Sequence, residues 1–203
     1  MAVKGIRQRQ ADATRDMLLS IARERFTEQG YAATSIEDIV RRAGVAKGAL
    51  YHHFSGKDAL FRAVYDAVLA EAVSAVMAAA LAETDPWRAV RAGLSAFLDA
   101  CLEPSFRRIV ILESVAVLQQ EFTDGGIGDQ ELPMLRTVLT PLTGDILPGV
   151  AVDSLAHVAL GGLYGAALYI ARSADPTAAR ADVDVALDAL VDGLRARTSG
   201  HGA

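Results

Sequence analysis

Two lysines stand where helices are predicted to begin, in the stretch GVAKGALYHHFSGKDALF of residues 44–61. Lys47 opens a short helix, and Lys57 opens the long helix that follows. Helix N-termini favour acidic side chains by about 0.3–1 kcal/mol, so a lysine there becomes favourable when a phosphate binds beside it. Gly48 lies inside the short helix, at a cost of about 1 kcal/mol relative to alanine. These residues indicate a surface that a phosphate-bearing molecule approaches closely.

The elements that position these residues follow a helix-turn-helix pattern. Apolar residues recurring every three or four positions predict a first helix from about Ala13 to Gln29. In TSIEDIVRRAG, Thr34 followed three residues later by Glu37 predicts a capping box, and Gly44 ends the second helix. The chain restarts at Val45, so two helices are joined by a tight turn. The spacing alone also fits an ordinary αα-corner.

The rest of the chain is predicted to be helical. Of the 203 residues, 52% are hydrophobic, and alanine and leucine dominate. The segment FTDGGIGDQELP superficially resembles a phosphate loop, but it lacks a preceding strand and a following G-K-[ST], so a flexible connection is predicted. Apolar periodicity and breaker residues predict helices at about residues 57–83, 86–102, 105–120, 133–145, 152–173 and 177–197.

Charge is distributed unevenly along the chain. Residues 1–57 hold ten Lys and Arg against six Asp and Glu, whereas residues 58–203 hold ten against nineteen. A basic head (+4) on an acidic body (−9) indicates an anionic partner for the head alone, although chance also explains such a difference. The longest apolar run, residues 158–171, is too short to span a membrane, and no signal peptide is visible. The single cysteine suits a reducing, cytoplasmic setting.

Read together, TSIEDIVRRAGVAKGALYHHFSGKDALF closely resembles the DNA-binding segment of the TetR family of bacterial transcriptional repressors, over about residues 13–65. The resemblance implies an all-α fold, in which an N-terminal three-helix helix-turn-helix head with a basic N-terminal arm (residues 1–57) is joined by a long fourth helix to a helical ligand-binding and dimerisation body (residues 58–203). It implies a cytoplasmic homodimer that binds a near-palindromic double-stranded DNA operator and is released by a small-molecule effector. No cofactor, metal or membrane partner is predicted.

The resemblance also assigns roles to residues of the head. Lys57 would bind phosphate with its helix terminus, and Thr34 and Ser35 would do so at the second helix. Gly48 would permit close approach to the duplex, and Leu50 and Phe54 would face inward. Ala46 stands where family members often have a capping serine or threonine, so we expect a frayed recognition helix. Lys47 and Ala49 are the candidates for reading bases in the major groove. Tyr51 and His52 have polar tips that could reach phosphate oxygens.

The body is expected to enclose a mostly apolar pocket, which favours a hydrophobic effector. Glu113 either faces solvent or would favour a cationic or hydrogen-bonding ligand. The expected lining residues, any of which could instead be simple core, are Trp87, Phe97, Cys101, Phe106, Leu112, Glu113, Val117, Met134 and Tyr164. Small residues and an apolar stripe on the last two helices favour a dimer interface, although packing within one subunit explains them too; these residues are Gly161, Gly165, Leu187, Leu190, Val191 and Leu194.

Two other classes of protein remain open. An enzyme would need a nucleophile with a base or a set of metal ligands, and the sequence shows neither. Cys101 lies in an apolar helix, where a structural role is favoured, and the adjacent His52 and His53 point about 100° apart on a helix. A helical protein-interaction module explains the acidic body, but it leaves the placement of Lys47 and Gly48 without a reason.

Overall fold

The structure is a computed structural model of the chain, and it describes residues 2–118, 131–143 and 146–199. Three helices form the head: α1 (Ala2–Ala33), α2 (Ile36–Ala43) and α3 (Lys47–His53). The predicted start of α1 near residue 13 is wrong, because the basic N-terminal segment continues the helix. α1 breaks at Gly30, where φ 83 and ψ 172 define a conformation essentially limited to glycine.

The three helices of the head pack around one core. α1 contributes Leu18, Ala22 and Phe26 at helical spacing, and all three are fully buried. α2 adds Ile39, and α3 adds Leu50, which confirms that Leu50 faces inward. Gly44 ends α2 in the left-handed conformation, with φ 66, so α3 can start after a tight turn. The predicted helix-turn-helix arrangement is confirmed.

The N-terminus of α2 differs from the prediction by one residue. Ser35, not Thr34, is the N-cap, and its hydroxyl accepts a hydrogen bond from the Asp38 N–H over 3.1 Å. The Thr34 hydroxyl donates instead to the carbonyl of Gly30 over 2.7 Å, inside the head. The predicted capping box of Thr34 and Glu37 is therefore wrong, because α2 begins after Ser35 and the Thr34 hydroxyl accepts its hydrogen bond from the Gln29 side-chain amide over 3.2 Å.

The body begins with α4 (Lys57–Leu81), which leads out of the head, and α5 (Pro86–Ala100). A π-helix (Phe106–Glu113), called the π-segment below, runs directly into α6 (Ser114–Val117). The remaining elements are α7 (Glu131–Leu139) with a 3₁₀ turn (Thr140–Leu142), α8 (Val152–Arg172) and α9 (Pro176–Ser199). The glycine-rich part of FTDGGIGDQELP lies outside the described residues.

Two clusters of buried apolar residues hold these helices together. The larger one runs without a break from the head through α4 into the π-segment and the end of α8. The smaller one joins α5, α7, α8 and α9 around Trp87 and Leu142. Because one core crosses from head to body, a displacement of the π-segment cannot leave the packing of the head unchanged.

Among the residues that the structure describes, two helices, α4 and α8, are long and apolar enough to cross a membrane by length and composition. α4 instead buries Leu60, Phe61 and Val64 in the core that it shares with the head. α8 buries Ala167 and Ile170 in the same core, whereas several of its other apolar residues face solvent. The apolar character of α4 is thus explained by its central position in the fold.

Candidate nucleic-acid interface and ligand cavity

The outer face of α3 presents most of the predicted DNA-contacting residues together. Lys47, Gly48, Tyr51 and His52 are exposed, and Ala49 is half-buried beside them. Tyr51 keeps 47% of its surface accessible. A Cβ at Gly48 would meet nothing within 4 Å, so the space beside this residue is open to another molecule. Ala46 caps α3 without a side-chain hydrogen bond, as predicted.

Lys47 has an intramolecular partner that the sequence did not indicate. Its ammonium forms an ion pair with the Glu37 carboxylate of α2 and lies 5.9 Å from the centre of the Tyr51 ring. The hydrogen bond between them lowers the pKa of Glu37 and raises the pKa of Lys47. Both side chains are more than half exposed, so the pair contributes little to stability and Lys47 can exchange Glu37 for a phosphate.

The two predicted phosphate contacts at the start of α2 are placed differently. The Ser35 side chain is exposed at the helix N-terminus, where an anion is favoured. Thr34 is 2% exposed and its hydroxyl is bonded to Gly30, so it offers no surface to a phosphate. The position of Ser35 is therefore compatible with a phosphate contact, whereas the burial of Thr34 contradicts the contact predicted for it.

The Lys57 ammonium is directed into the protein. It donates hydrogen bonds to the carbonyls of Tyr31, over 2.9 Å, and Thr34, over 3.0 Å, and lies 4.0 Å from the centre of the Tyr31 ring. Carbonyl groups at the C-terminal end of a helix carry partial negative charge, which explains why a lysine is favourable at position 57. The predicted phosphate contact is not supported, and Lys57 instead fixes the start of α4 to the corner between α1 and α2.

Arg41 and Arg42, at the end of α2, are exposed cations that the sequence analysis did not select. Both pair with Asp38, whose pKa is lowered by Arg25, Arg42 and Arg41 against the opposing effect of its burial. Their signal in the sequence was the basic pair in RRAG, just before the turn. They extend the cationic surface beside α3.

A cavity of about 40 Å³ lies in the body between α4, α5, the π-segment, α7 and α8. This is room for about three water molecules. Four predicted lining residues are brought together there: Phe97, Phe106, Met134 and Tyr164. The lining residues that the prediction missed lie mainly on α4, the π-segment and α8: Leu69, Ala72, Val73, Val76, Val110, Ile111, Glu131, Leu135, Leu160, Leu163 and Ala167.

The other predicted lining residues lie elsewhere. Trp87 belongs to the smaller core cluster and Cys101 to the larger one. Leu112 is exposed, and Val117 packs against the larger cluster. Helical periodicity separates inner from outer faces, but it does not show which inner residues border a gap. For this reason the sequence could not distinguish residues that line the cavity from residues that are simply buried in the core.

Glu113 holds the π-segment against the head, which contradicts both roles expected for it. Its carboxylate accepts hydrogen bonds from the Tyr31 N–H over 2.8 Å and from Arg108 Nε over 2.9 Å. A Cβ at Gly30 would lie 2.4 Å from both Glu113 Oε1 and Arg108 Nη2. We call Gly30, Tyr31, Arg108 and Glu113 the head–body junction. Phe106 and Val110 of the same π-segment line the cavity, so one short element contacts both sites.

Polar groups gather at one place in the cavity wall. The Tyr164 hydroxyl is buried and lies beside the Tyr65 hydroxyl, an interaction that lowers the pKa of Tyr164 and raises that of Tyr65, but within the described residues it has no partner in hydrogen-bond geometry. Burial and then the charge of Glu131 raise the pKa of Tyr164. Burial, followed by Tyr164 and Glu131, raises the pKa of Tyr65. Both phenols therefore keep their protons at neutral pH, and the Glu131 carboxylate lies near them.

An apolar surface remains uncovered on α8 and α9. Val158 is 74% exposed, Leu190 is 65% exposed, and Tyr169 and Leu194 also face solvent. Gly161 and Gly165 are exposed, and a Cβ on either would meet nothing within 4 Å. Two members of the predicted interface differ: Leu187 packs against the larger core cluster, and Val191 is buried in the smaller one.

Cys101 is buried, and burial raises the pKa of its thiol to about 12. A thiol in that state is a poor nucleophile, since the thiolate is the reactive form. Within the described residues, no group of three or more His, Cys, Asp or Glu side chains could hold a metal ion.

A head with an exposed recognition helix, joined by α4 to a cavity-bearing helical body, defines a helix-turn-helix DNA-binding regulator. Residues 18–64 match the family model described as bacterial regulatory proteins, tetR family. Residues 87–194 match the model described as tetracyclin repressor-like, C-terminal domain. The chain belongs to the TetR family of transcriptional regulators.

Individual relatives agree with this assignment. A TetR-family transcriptional regulator from Pectobacterium atrosepticum has a similar structure, with a TM-score of 0.78 and 33% identity over 91% of this chain and 95% of that one. The transcriptional activator FasR of Mycolicibacterium smegmatis is 41% identical over 88 residues, 43% of this chain and 40% of FasR. The Tn10 TetC protein of Escherichia coli is 32% identical over 58% of this chain and 59% of its own length. The chain thus matches less than two thirds of the length of these two curated relatives.

Proposed function

We propose that this DNA-binding regulator is a homodimeric repressor that leaves a near-palindromic operator when a small molecule enters its body. The observation that carries the proposal is the outer face of α3. There Lys47, Tyr51 and His52 surround Gly48, where nothing of the protein blocks an approaching duplex. We assign contacts with DNA to Ser35, Lys47, Gly48, Ala49, Tyr51 and His52.

The uncovered face of α8 and α9 supports dimer formation. Val158 and Tyr169 flank exposed Gly161 and Gly165, and Leu190 lies on the neighbouring helix. Glycines allow the backbones of two helices to approach closely, and burying large apolar side chains between subunits is favourable. Two heads held by such an interface would read two half-sites, which fits a near-palindromic operator.

Ligand response requires that the cavity and the DNA-binding head share a structural element. The π-segment meets this requirement, because Phe106 and Val110 border the cavity while Glu113 binds the Tyr31 N–H at the end of α1. A ligand that prefers a different position of this segment would shift the population of head arrangements. We therefore assign residues 1–57 to DNA binding and residues 58–203 to regulation, in a cytoplasmic protein without catalytic activity.

Activation of transcription is a second candidate, because FasR is named a transcriptional activator. The two modes differ in the effect of the bound protein on a promoter, not in the contacts that α3 makes. A reporter gene placed behind the bound DNA distinguishes them. Expression that rises on deletion of the regulator supports repression, and expression that falls supports activation.

The DNA-binding face is tested by fluorescence anisotropy with duplexes from the region upstream of the protein's own gene, at two salt concentrations. We expect Lys47→Ala to lower affinity about tenfold and to reduce the salt slope by about one, since one phosphate contact is lost. Arg88→Ala is the matched control, because it removes an exposed cation of α5 in the body.

If the wild-type protein binds none of these duplexes, selection from random sequences identifies its operator, and the variants are compared on that site. Equal affinity of Lys47→Ala and wild type for a selected operator would contradict the assignment of α3. Salt-independent binding would contradict phosphate contacts altogether and would favour the interaction-module alternative.

A further inference from the structure

The cavity described above has an apolar body and one polar end. Its walls are formed by aliphatic and aromatic side chains, and Glu131 and Tyr164 are the exceptions. Tyr65, whose pKa responds to both, lies beside them. A ligand that fills the cavity therefore meets hydrocarbon over most of its surface and polar groups at a single point.

The Tyr164 hydroxyl is the strongest indication of what that point binds. It is buried and has no partner in hydrogen-bond geometry within the described residues, whereas most buried polar side-chain atoms have one. A buried hydroxyl without a partner is unfavourable, and a ligand that supplies one removes that cost. The Tyr164 hydroxyl can donate a hydrogen bond to a ligand oxygen or accept one from a ligand O–H or N–H.

The charge of the ligand is limited by the side chains around it. Within the described residues, no Lys, Arg or His lines the cavity, and the nearby Arg62 lies over the Tyr65 ring, 5.7 Å from its centre. Residues 119–130, which precede Glu131 in the chain, contain no Lys, Arg or His either. Burying an anionic head group without a cation is strongly unfavourable. A carboxylate or phosphate head is therefore disfavoured here, whatever its apolar part.

The size of the cavity adds a further condition. About 40 Å³ is less than a ligand of several carbons needs. Phe97 and Phe106 pack edge to face, with 6.4 Å between ring centres, and Met134 is the most adaptable side chain of the wall. Binding must displace such groups, and Phe106 belongs to the π-segment. Occupation of the cavity is thus linked to the element that contacts the head.

We propose that the cavity binds an amphiphile without an anionic group, with an apolar chain or ring system and a head group that hydrogen-bonds to Tyr164 and donates to Glu131. A carboxylate has about four lone-pair sites, so Glu131 can accept this bond in addition to its other interactions. The inference deepens the proposed ligand response and rests on this cavity being the effector site.

The test uses three probes with the same eight-carbon chain: 1-octanol, octanoate and octylamine. Each is titrated calorimetrically into the full-length protein at pH 7.5. We expect 1-octanol to bind at least tenfold more tightly than octanoate. Tyr164→Phe should weaken 1-octanol binding about tenfold, the effect of one hydrogen bond, and raise the melting temperature of the free protein. Thr84→Val, which removes an exposed hydroxyl from the connection between α4 and α5, should change neither.

Three results would overturn the inference: binding of octanoate that equals or exceeds that of 1-octanol or octylamine, no binding of 1-octanol, or an unchanged affinity in Tyr164→Phe. Operator binding is measured on the same samples, so that the two proposals can fail separately. If the protein binds DNA but not 1-octanol, the ligand class is wrong and the regulator stands. If 1-octanol binds through Tyr164 but does not release DNA, the cavity is a binding site without the proposed regulatory effect.

Discussion

Gly30 lies at the head–body junction, and its replacement by alanine tests how that junction is built. With φ 83 and ψ 172, Gly30 adopts a backbone conformation that an L-residue reaches only with strain. The new Cβ would also lie 2.4 Å from the Glu113 carboxylate and must displace it from the Tyr31 N–H. The substitution therefore has two separable costs, one in the backbone and one in the junction.

The size of each cost follows from these contacts. The strain is about 2 kcal/mol for such a conformation. Loss of the hydrogen bond between the Glu113 carboxylate, 19% exposed, and the Tyr31 N–H costs about 2 kcal/mol more. Gly30→Ala should thus destabilise the protein by about 4 kcal/mol, and Glu113→Ala by about 2 kcal/mol. In the double variant the hydrogen bond is lost only once, so we expect about 4 kcal/mol and a coupling energy of about 2 kcal/mol.

The assay is urea unfolding of the wild type, the two single variants and the double variant. All four are measured at one fixed protomer concentration, because dimer formation would make stability concentration-dependent. Gly44→Ala provides the matched control. Gly44 also has a positive φ, of 66, but a Cβ there would meet nothing within 4 Å. We expect it to cost about 1 kcal/mol and to be additive with Glu113→Ala within about 0.5 kcal/mol.

A coupling energy between Gly30→Ala and Glu113→Ala below about 0.5 kcal/mol would refute the junction as described. It would mean that the side chains of Arg108 and Glu113 move aside without a loss of stability. A coupling of equal size for Gly44→Ala would show that the effect arises in the unfolded state or across the whole head. Either result would leave the π-segment without an energetic connection to α1.

Three further predictions concern single residues. Lys57→Ala should lower the melting temperature, measured calorimetrically, because the carbonyls of Tyr31 and Thr34 lose their donor. Lys47→Ala should leave the melting temperature unchanged. Equal shifts in the two variants would contradict the roles assigned to these lysines. Ala46→Ser should cap α3, stabilise it by about 1 kcal/mol and slow amide exchange at residues 47–52 in the free protein, and unchanged exchange would show that α3 is not frayed. Burial raises the pKa of Cys101 to about 12, so the thiol stays protonated as pH rises from 7 to 9, and Ellman's reagent should label it only after unfolding; rapid labelling of the native protein would contradict this burial.

The order of the helices could be predicted from the sequence because their signals are local. Lys57–Leu81 and Pro86–Ala100 agree with the predicted helices to within two residues at each end. Apolar spacing correctly placed Leu50 in the core, and the lack of a capping side chain at Ala46 was visible directly. Propensity, periodicity and breaker residues each act over a few positions, so they remain readable in a single chain.

The role of individual polar residues could not be predicted, because their partners are distant in the chain. Lys57 binds the carbonyl of Tyr31, 26 residues earlier, and Glu113 binds the N–H of the same residue across 82 positions. Thr34 and Ser35 each precede an acidic residue by three positions, so the local pattern did not decide which one caps α2. The cavity lining was only partly predicted for a related reason, since a gap depends on how several helices pack together.

In the proposed ligand response, the π-segment would move in steps. Its hydrogen bonds join each residue to the fifth one along, so it can convert to an α-helix only by advancing in whole residues. An advance of one residue turns a side chain by about 100°, enough to carry Glu113 away from Tyr31 completely. If the proposed ligand response uses such an advance, the DNA-binding surface would take one of two discrete arrangements as the cavity fills.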